Sequence, residues 1–178
     1  ENQELHFYLK AEDSNGISTV KECKFLIDNE KPSITAPEGE VYLPKDNLFK
    51  AFEGTFTDNV SKISQVYYSE NKDSASSEWK AVTSLITSQN KWILNYTADE
   101  NDSQKTFYFK AVDNAGNYSV SENPLKIIID KDIPSITDLK ITSGGKDFVF
   151  ENDTVYVKSG FTISGKIIET NFKELKCS

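Results

Sequence analysis

An internal repeat constrains the fold of this chain more than any single motif does. The segment FYLKAEDSNGIS, which begins at Phe7, returns as FYFKAVDNAGNYS from Phe107, and IDNEKPSIT from Ile27 returns as IDKDIPSIT from Ile129. The second copies follow the first by 100 and 102 residues. Because a repeat marks the unit that folds, the period predicts one complete domain at 31–131, the last strands of a preceding domain at 1–30 and the first strands of a following domain at 132–178.

A third and weaker echo agrees with this division. FEGTFTD, which begins at Phe52, aligns with ISGKIIE, which begins at Ile163. In both copies a glycine lies between two apolar residues of one strand face, and an acidic residue ends the segment. The echo places equivalent strands near the start of the complete domain and of the domain that follows it.

Apolar residues recur at every second position between frequent turn residues, which is the pattern of half-buried strands. Phe107, Phe109 and Ala111 share one face in this pattern, and so do Leu125, Ile127 and Ile129. No apolar stripe at helical spacing exceeds about two turns, which is too short for a stable isolated helix. The pattern predicts an all-β fold.

Composition disfavours several classes of function. The 28 acidic and 20 basic residues give a formal charge of -8, which repels nucleic acid and anionic lipid. The apolar runs are far shorter than the ~20 residues that a membrane-spanning helix needs. His6 is the one histidine, which disfavours acid–base and metal chemistry that relies on imidazole. Cys23 and Cys177 are too few and too far apart for a zinc site or a disulfide framework, so we expect two unpaired thiols. With no methionine and no signal-like segment, the sequence reads as an excerpt or a processed chain.

The end of the complete domain resembles a known family. Ala111, Asp113, Ala115, Gly116, Asn117 and Ser119, followed by Asp130, Pro134 and Ile136, are similar to the final hairpin and the junction of tandem bacterial immunoglobulin-like (Ig-like) domains of large secreted or cell-surface proteins. The earlier copy keeps much of this pattern but has Ile17 where the later copy has Asn117. The resemblance implies Ig-like β-sandwiches joined end to end, one complete and two partial, in an extracellular or cell-surface protein.

Acidic residues fall where such a sandwich gathers its loops. In this topology the entering linker, the loop between the second and third strands and the final hairpin meet at one pole. The expected cluster contains Asp28, Glu30, Asp58 and Asp113. Calcium favours several oxygen ligands at one place, and the resemblance to tandem domains that bind calcium at their junctions implies the same ion. The alternative is that each acid only caps its own turn through backbone N–H groups.

The sequence favours a non-enzymatic role, because no nucleophile and base occur at a plausible spacing. We expect a stalk, spacer or adhesive segment whose partners are neighbouring domains of the same chain and an unidentified protein or glycan receptor. If this sequence is the whole molecule, head-to-tail copies of the chain are a further expected partner, since strands of incomplete domains expose apolar faces. The alternative, which we favour, is that more chain lies on both sides. The alternative function is a carbohydrate- or protein-binding accessory module of a larger secreted enzyme, with Tyr67, Tyr68, Trp79, Trp92 or Tyr118 stacking on sugars.

Overall fold

A computed structural model describes residues 3–73, 75–149, 156–157 and 159–176. These residues form strands and two short 3-10 turns, at Ser76–Glu78 and Thr87–Gln89. The strands, numbered in chain order, are Gln3–Glu12 (β1), Ser18–Ile27 (β2), Ser33–Thr35 (β3), Gly39–Pro44 (β4), Phe49–Thr57 (β5), Ile63–Ser69 (β6), Lys80–Ala81 (β7), Ser84–Ile86 (β8), Lys91–Thr97 (β9), Gln104–Asp113 (β10), Tyr118–Val120 (β11), Leu125–Asp130 (β12), Ser135–Ser143 (β13), Lys146–Val149 (β14) and Phe161–Ile168 (β15). The chain divides into two compact units, Glu1–Asp130 and Lys131–Ser178.

Two sheets form the sandwich of the first unit. One sheet has the strand order β3-β5-β9-β8, and the other has the order β4-β12-β10-β6-β7 with β11 added beside β10. Neighbouring strands are antiparallel except for β12 and β4, which run parallel with Leu125 opposite Gly39. This arrangement is an Ig-like β-sandwich, which confirms the predicted all-β fold class.

The core lies between the two sheets and follows the alternation of the strands. Trp92 of the first sheet stacks on Phe109 of the second at a centroid distance of 4.6 Å, and both rings are fully buried. The predicted core faces of β10 and β12 are confirmed, because each of their members is at most 6% exposed. The buried cluster consists of Leu43, Phe52, Phe56, Ile63, Val66, Val82, Trp92, Leu94, Ala98, Phe107, Phe109, Ala111, Leu125, Ile127 and Ile129.

Gly54 permits the close approach of Trp92 to strand β3. A Cβ atom at Gly54 would collide with the Thr35 carbonyl oxygen and lie 2.5 Å from Trp92 Cζ2. The bare backbone lets the indole N–H of Trp92 donate to that same carbonyl at 3.2 Å. The weak sequence echo at this glycine therefore marks a packing constraint between strands.

The second unit contains one described sheet, with the order β14-β13-β15. Its β13–β15 register repeats the β3–β5 register of the first unit: Ser135 lies opposite Ile168 as Ser33 lies opposite Thr57. A Cβ at Gly165 would lie 3.3 Å from the Thr137 carbonyl oxygen, as one at Gly54 would meet that of Thr35. The three-residue segments SIT at 33–35 and 135–137 thus pair with equivalent strands, β5 and β15, in the same register.

Strands β1 and β2 form a separate hairpin with ten paired positions. Its turn has the hydrogen bonds of the turn between β10 and β11. Asp13 N–H donates to Ile17 O at 2.9 Å, and Asp113 N–H donates to Asn117 O at 3.0 Å. In each turn a glycine with positive φ, Gly16 or Gly116, adopts a backbone conformation that other residues reach at a cost.

Candidate metal centre

The turn after β10 holds the first acidic side chain of the candidate site. Asp113 is only 2% exposed. Its Oδ1 accepts the backbone N–H of Asn117 at 2.8 Å, and its Oδ2 accepts the side-chain N–H of Asn117 at 2.9 Å. The turn sequence therefore points this carboxylate inward rather than into solvent.

The loop between β5 and β6 supplies the second acid. Asp58 Oδ1 accepts the N–H groups of Val60 and Lys62, at 3.1 and 2.7 Å. Asn114 joins this loop to the β10–β11 turn, because its side-chain N–H donates to the carbonyl oxygen of Ser61 at 2.8 Å. Within the described chain no donor contacts Asp58 Oδ2, so this oxygen is available to a ligand.

The segment that links β2 to β3 supplies the third acid. Asp28 is 7% exposed, and it accepts the N–H of Glu30 at 2.9 Å and that of Ser61 at 3.1 Å. The Ser61 side chain, which lies beside this carboxylate but makes no hydrogen bond among the described residues, and the two amides hold the pKa of Asp28 below its ordinary value, against the effect of burial. Asn117 connects two of the acids, since its side-chain amide also donates to the Asp28 carbonyl oxygen at 3.1 Å.

Asp28, Asp58 and Asp113 each place one carboxylate oxygen within 4.8 Å of those of the other two. Ligands held 2.3–2.6 Å from a calcium ion lie up to about 5 Å apart across it, so this spacing fits one ion. Lys and His side chains of the described residues form no ion pair with the three acids. The cluster brings two buried carboxyl groups and one half-buried carboxyl group together, and a divalent cation would offset their charge.

The fourth residue expected from the sequence, Glu30, does not join this group. Its backbone N–H caps Asp28 instead, and its side chain is exposed. Two contributors were missed at the sequence level, Asn117 and Ser61. The signal for Asn117 was the difference between the repeats, since Ile17 in the first hairpin has no amide to donate.

Three of the side chains considered for sugar stacking, Tyr67, Trp79 and Tyr118, surround the Lys110 ammonium, which lies 5.5, 4.3 and 5.8 Å from their respective ring centroids. Trp79 and Trp92 are buried, and Tyr67 and Tyr68 are half-buried, whereas Tyr118 is 56% exposed. The Lys110 ammonium covers Trp79 at 4.3 Å from the ring centroid, and burial lowers the pKa of Lys110.

Cys23 is a free, half-buried thiol on β2, and Cys177 lies outside the described residues. Of the helices formed by the described residues, none is long and apolar enough to span a bilayer.

No protein-family model and no curated protein matches the chain. Among solved structures it is similar to the titin domains Z1Z2 in complex with telethonin, with 12% identity, 82% of this chain and 85% of that chain covered, and a TM-score of 0.41. It is also similar to mouse clustered PcdhgC3 EC1-3, with 12% identity, 79% and 45% covered, and a TM-score of 0.35. The chain thus spans less than half of that second structure. With such low scores the Ig-like assignment rests on the strand order and register described above.

Proposed function

We propose that the chain is a non-enzymatic segment of a repeat-built bacterial extracellular or cell-surface protein, in which Ig-like domains follow one another as a stalk, spacer or adhesive array. The observation that supports the array is the shared register of β3–β5 and β13–β15, together with the two equivalent hairpin turns. In such arrays stability is roughly the sum of each domain and its interfaces with its neighbours. Length and stiffness are then the functional properties.

The stiffness of the array depends on the segment between consecutive domains. Residues 28–32 connect β2 to β3, and the Asn117 amide and the Ser61 N–H both hold Asp28 within this segment. The Ser119 hydroxyl also donates to the Pro32 carbonyl oxygen at 2.5 Å. The linker is therefore fixed to the sandwich at both of its ends, Asp28 and Pro32, which suits a semi-rigid connection.

Calcium bound by Asp28, Asp58 and Asp113 would fix the same linker more firmly. An ion held by one carboxylate of the linker and two of the sandwich opposes the separation of these elements, and it neutralises charges that otherwise repel one another. A ligand that binds only the folded state stabilises that state by mass action. Calcium is therefore proposed as the cofactor of this pole.

The experiment is calorimetric titration with calcium, together with thermal unfolding with and without millimolar calcium. We expect binding heat and a higher melting temperature for the natural chain. Asp58→Asn is the informative variant, because its amide oxygen still accepts the Val60 and Lys62 amides while the charge is lost. It should fold and bind calcium at least about tenfold more weakly, which corresponds to 1.4 kcal/mol.

Asp46→Asn serves as the control, since Asp46 is an exposed acid in the turn after β4. It should leave the calcium response unchanged. No heat and no shift in melting temperature would show that the three acids only cap their turns, and the metal proposal would then be abandoned. The array proposal is tested separately by the order of domains in the full-length protein.

A further inference from the structure

We propose that Tyr67, Trp79, Lys110 and Tyr118 form a binding site for an acidic sugar residue of a glycan. In this lysine–aromatic site the Lys110 ammonium pairs with the carboxylate of the sugar, and the Tyr118 ring stacks on its C–H face. The site lies within the sandwich. The inference goes beyond the proposed array, because it names a class of receptor and requires neither a particular order of domains nor calcium.

Strand alternation places the site on the outer side of the second sheet. Phe109 of β10 is fully buried between the sheets, so the next residue, Lys110, points outward. Tyr67 of β6 lies directly opposite Lys110, and Tyr118 begins β11, which pairs with β10 on its other side. Trp79 directly precedes β7, the neighbour of β6. The site therefore draws one side chain from each of four adjacent parts of one sheet.

Three rings surround the ammonium. Lys110 Nζ lies 4.3 Å from the ring centroid of Trp79, 5.5 Å from that of Tyr67 and 5.8 Å from that of Tyr118. Ring faces carry partial negative charge and attract the cation. Trp79 is 8% exposed and Tyr67 is half-buried, whereas Tyr118 is 56% exposed. Two rings thus hold the ammonium in place, and the third is open to a ligand.

Lys110 lacks the acidic partner that other half-buried lysines have. Lys105, Lys126 and Lys140 are each within 3.6 Å of a Glu or Asp carboxylate oxygen. Across the described ranges no carboxylate forms an ion pair with Lys110, and burial is the cause that lowers its pKa. In a chain with a net charge of -8, this half-buried cation is a local site for an anion.

The earlier copy of the repeat shows a different environment for the same lysine. Lys10 is equivalent to Lys110, and its ammonium pairs with Glu12. At the position of Glu12 the second copy has Val112, and at the position of Ser18 it has Tyr118. The second copy therefore loses the internal counter-ion and gains the exposed ring, which are the two changes that an acidic sugar requires.

The size of the open surface favours a sugar over a protein. An aromatic side chain offers about 150–250 Å², so the exposed part of Tyr118 provides roughly 100 Å², whereas a specific protein interface buries ~800 Å² on each partner. The face of one aromatic ring matches the apolar face of one sugar ring, whose C–H groups carry partial positive charge. The 5.8 Å between Lys110 Nζ and the Tyr118 centroid lets one uronic or sialic acid residue contact both.

The affinity of such a site is low, because only one sugar residue is in contact. The binding energy per atom that is typical of small ligands gives a Kd of about 1 mM for one uronic acid residue. Hydrogen bonds to charged groups are roughly twice as strong as neutral ones. We therefore expect an acidic sugar to bind at least about fivefold more tightly than the same sugar with its carboxylate esterified.

Ligand-observed NMR titration measures both contributions. The probes are trigalacturonate and sialyllactose, each compared with its own methyl ester, which keeps the sugar faces and lacks the charge. The natural chain should bind at least one of the two acids at about 1 mM, with the expected preference over the ester. Hexaglutamate is the probe for an acidic protein segment and should bind more weakly than the sugar.

Variants of the site separate charge from stacking. Lys110→Met keeps an unbranched apolar side chain over Trp79 but loses the charge, so it should bind the acid no more tightly than the ester. Lys110→Arg keeps the charge and should retain the preference for the acid. Tyr118→Ala should weaken the binding of acid and ester alike, by at least about fivefold.

Matched controls lie elsewhere on the sandwich. Lys91 is a half-buried lysine of β9 in the other sheet, and Tyr42 of β4 is 38% exposed. Lys91→Met and Tyr42→Ala should bind like the natural chain. Asp58→Asn should also bind the sugars normally, so a failure of the calcium proposal is distinguishable from a failure of this one. Thermal unfolding followed by tryptophan fluorescence confirms that each variant is folded.

Four results would overturn the proposal. The first is no binding of either acidic sugar by the natural chain at concentrations up to about 20 mM, well above the expected Kd. The second is equal binding of acid and ester, and the third is a preference for the acid that persists in Lys110→Met. The fourth is binding of hexaglutamate as tight as that of the sugar, which would identify an acidic protein segment as the ligand instead.

Discussion

At the scale of single residues, Gly54 sets how closely the first sheet packs. A Cβ there would meet a backbone oxygen and the Trp92 ring, which is fully buried. We expect Gly54→Ala to lower the free energy of unfolding by about 1–3 kcal/mol, as overpacked cores do. Urea unfolding followed by tryptophan fluorescence measures the change.

Gly165→Ala is the comparison for this substitution. The added methyl group there would meet the equivalent carbonyl at 3.3 Å and Leu139 Cδ1 at 3.4 Å, a milder crowding. The two glycines thus occupy equivalent positions of the repeat, but the surroundings of Gly54 are more tightly packed than those of Gly165. The loss at Gly165 is followed by far-UV circular dichroism, because both tryptophans lie in the first unit. Equal losses of unfolding free energy at the two glycines would show that the contact with Trp92 is not the cause.

At the same scale, Asp28 is expected to make the free energy of unfolding depend on pH. Its folded-state pKa lies below the ordinary 3.8, chiefly because of the Ser61 side chain and the capping amides. The stability that its charged form contributes is therefore fully present above about pH 4 and is lost as the pH falls through the lowered folded pKa. In calcium-free buffer, we expect Asp28→Asn to be less stable than the natural chain at pH 7, and the difference to shrink steadily towards about pH 2.

The measurement is chemical unfolding at a series of pH values, with Asp46→Asn as the exposed control. If the loss of unfolding free energy in Asp28→Asn stays constant from pH 7 to pH 2, the role of Asp28 does not depend on its charge. The control should show no pH-dependent difference from the natural chain.

At the scale of elements, the two hairpin turns allow the stability contributed by hydrogen bonds within a turn to be compared with that contributed by tertiary contacts. Asp13 and Asp113 both accept N–H groups of their own turns, but only Asp113 is buried and bonded to a side chain that reaches the linker. Asp113→Ala should cost about 1–3 kcal/mol of unfolding free energy, because it leaves buried donors without acceptors. Asp13→Ala should cost less than about 1 kcal/mol, since water replaces the lost acceptor. Similar losses in calcium-free unfolding experiments would contradict a tertiary role for Asp113.

The strands were the part of the fold that the sequence predicted best. Alternation along β10 and β12 has a physical cause, since the pleat sends alternate side chains to opposite faces, and their apolar faces are buried as expected. Alternation does not identify a strand's partner, so the parallel pairing of β4 with β12 could not be anticipated. The reason for the glycine at position 54 could not be inferred from the sequence either, because Trp92 approaches it from a strand 38 residues further along the chain.

The candidate site was predicted in part, for a similar reason. Loop topology indicates which turns meet, and Asp28, Asp58 and Asp113 do converge. Topology does not fix the direction of a side chain, so the exposed side chain of Glu30 and the bridging amide of Asn117 appear only in the structure. Whether the three carboxylates bind an ion stays a prediction that the titration decides.

At the scale of the whole molecule, the core cluster lies entirely between Leu43 and Ile129. The hairpin at 3–27 has only two strands, a size that is marginally stable alone, and Lys131–Ser178 is a separate unit. A fragment of residues 28–130 therefore contains all of the interior on which the sandwich depends. We expect this fragment to fold with a tryptophan-monitored melting temperature within about 5 °C of the full chain, which corresponds to roughly 1 kcal/mol for a domain of this size. A fragment that stays unfolded, or that melts far below the full chain, would mean that the hairpin or the C-terminal unit completes the interior of the sandwich, and the domain boundaries read from the repeat would have to be redrawn.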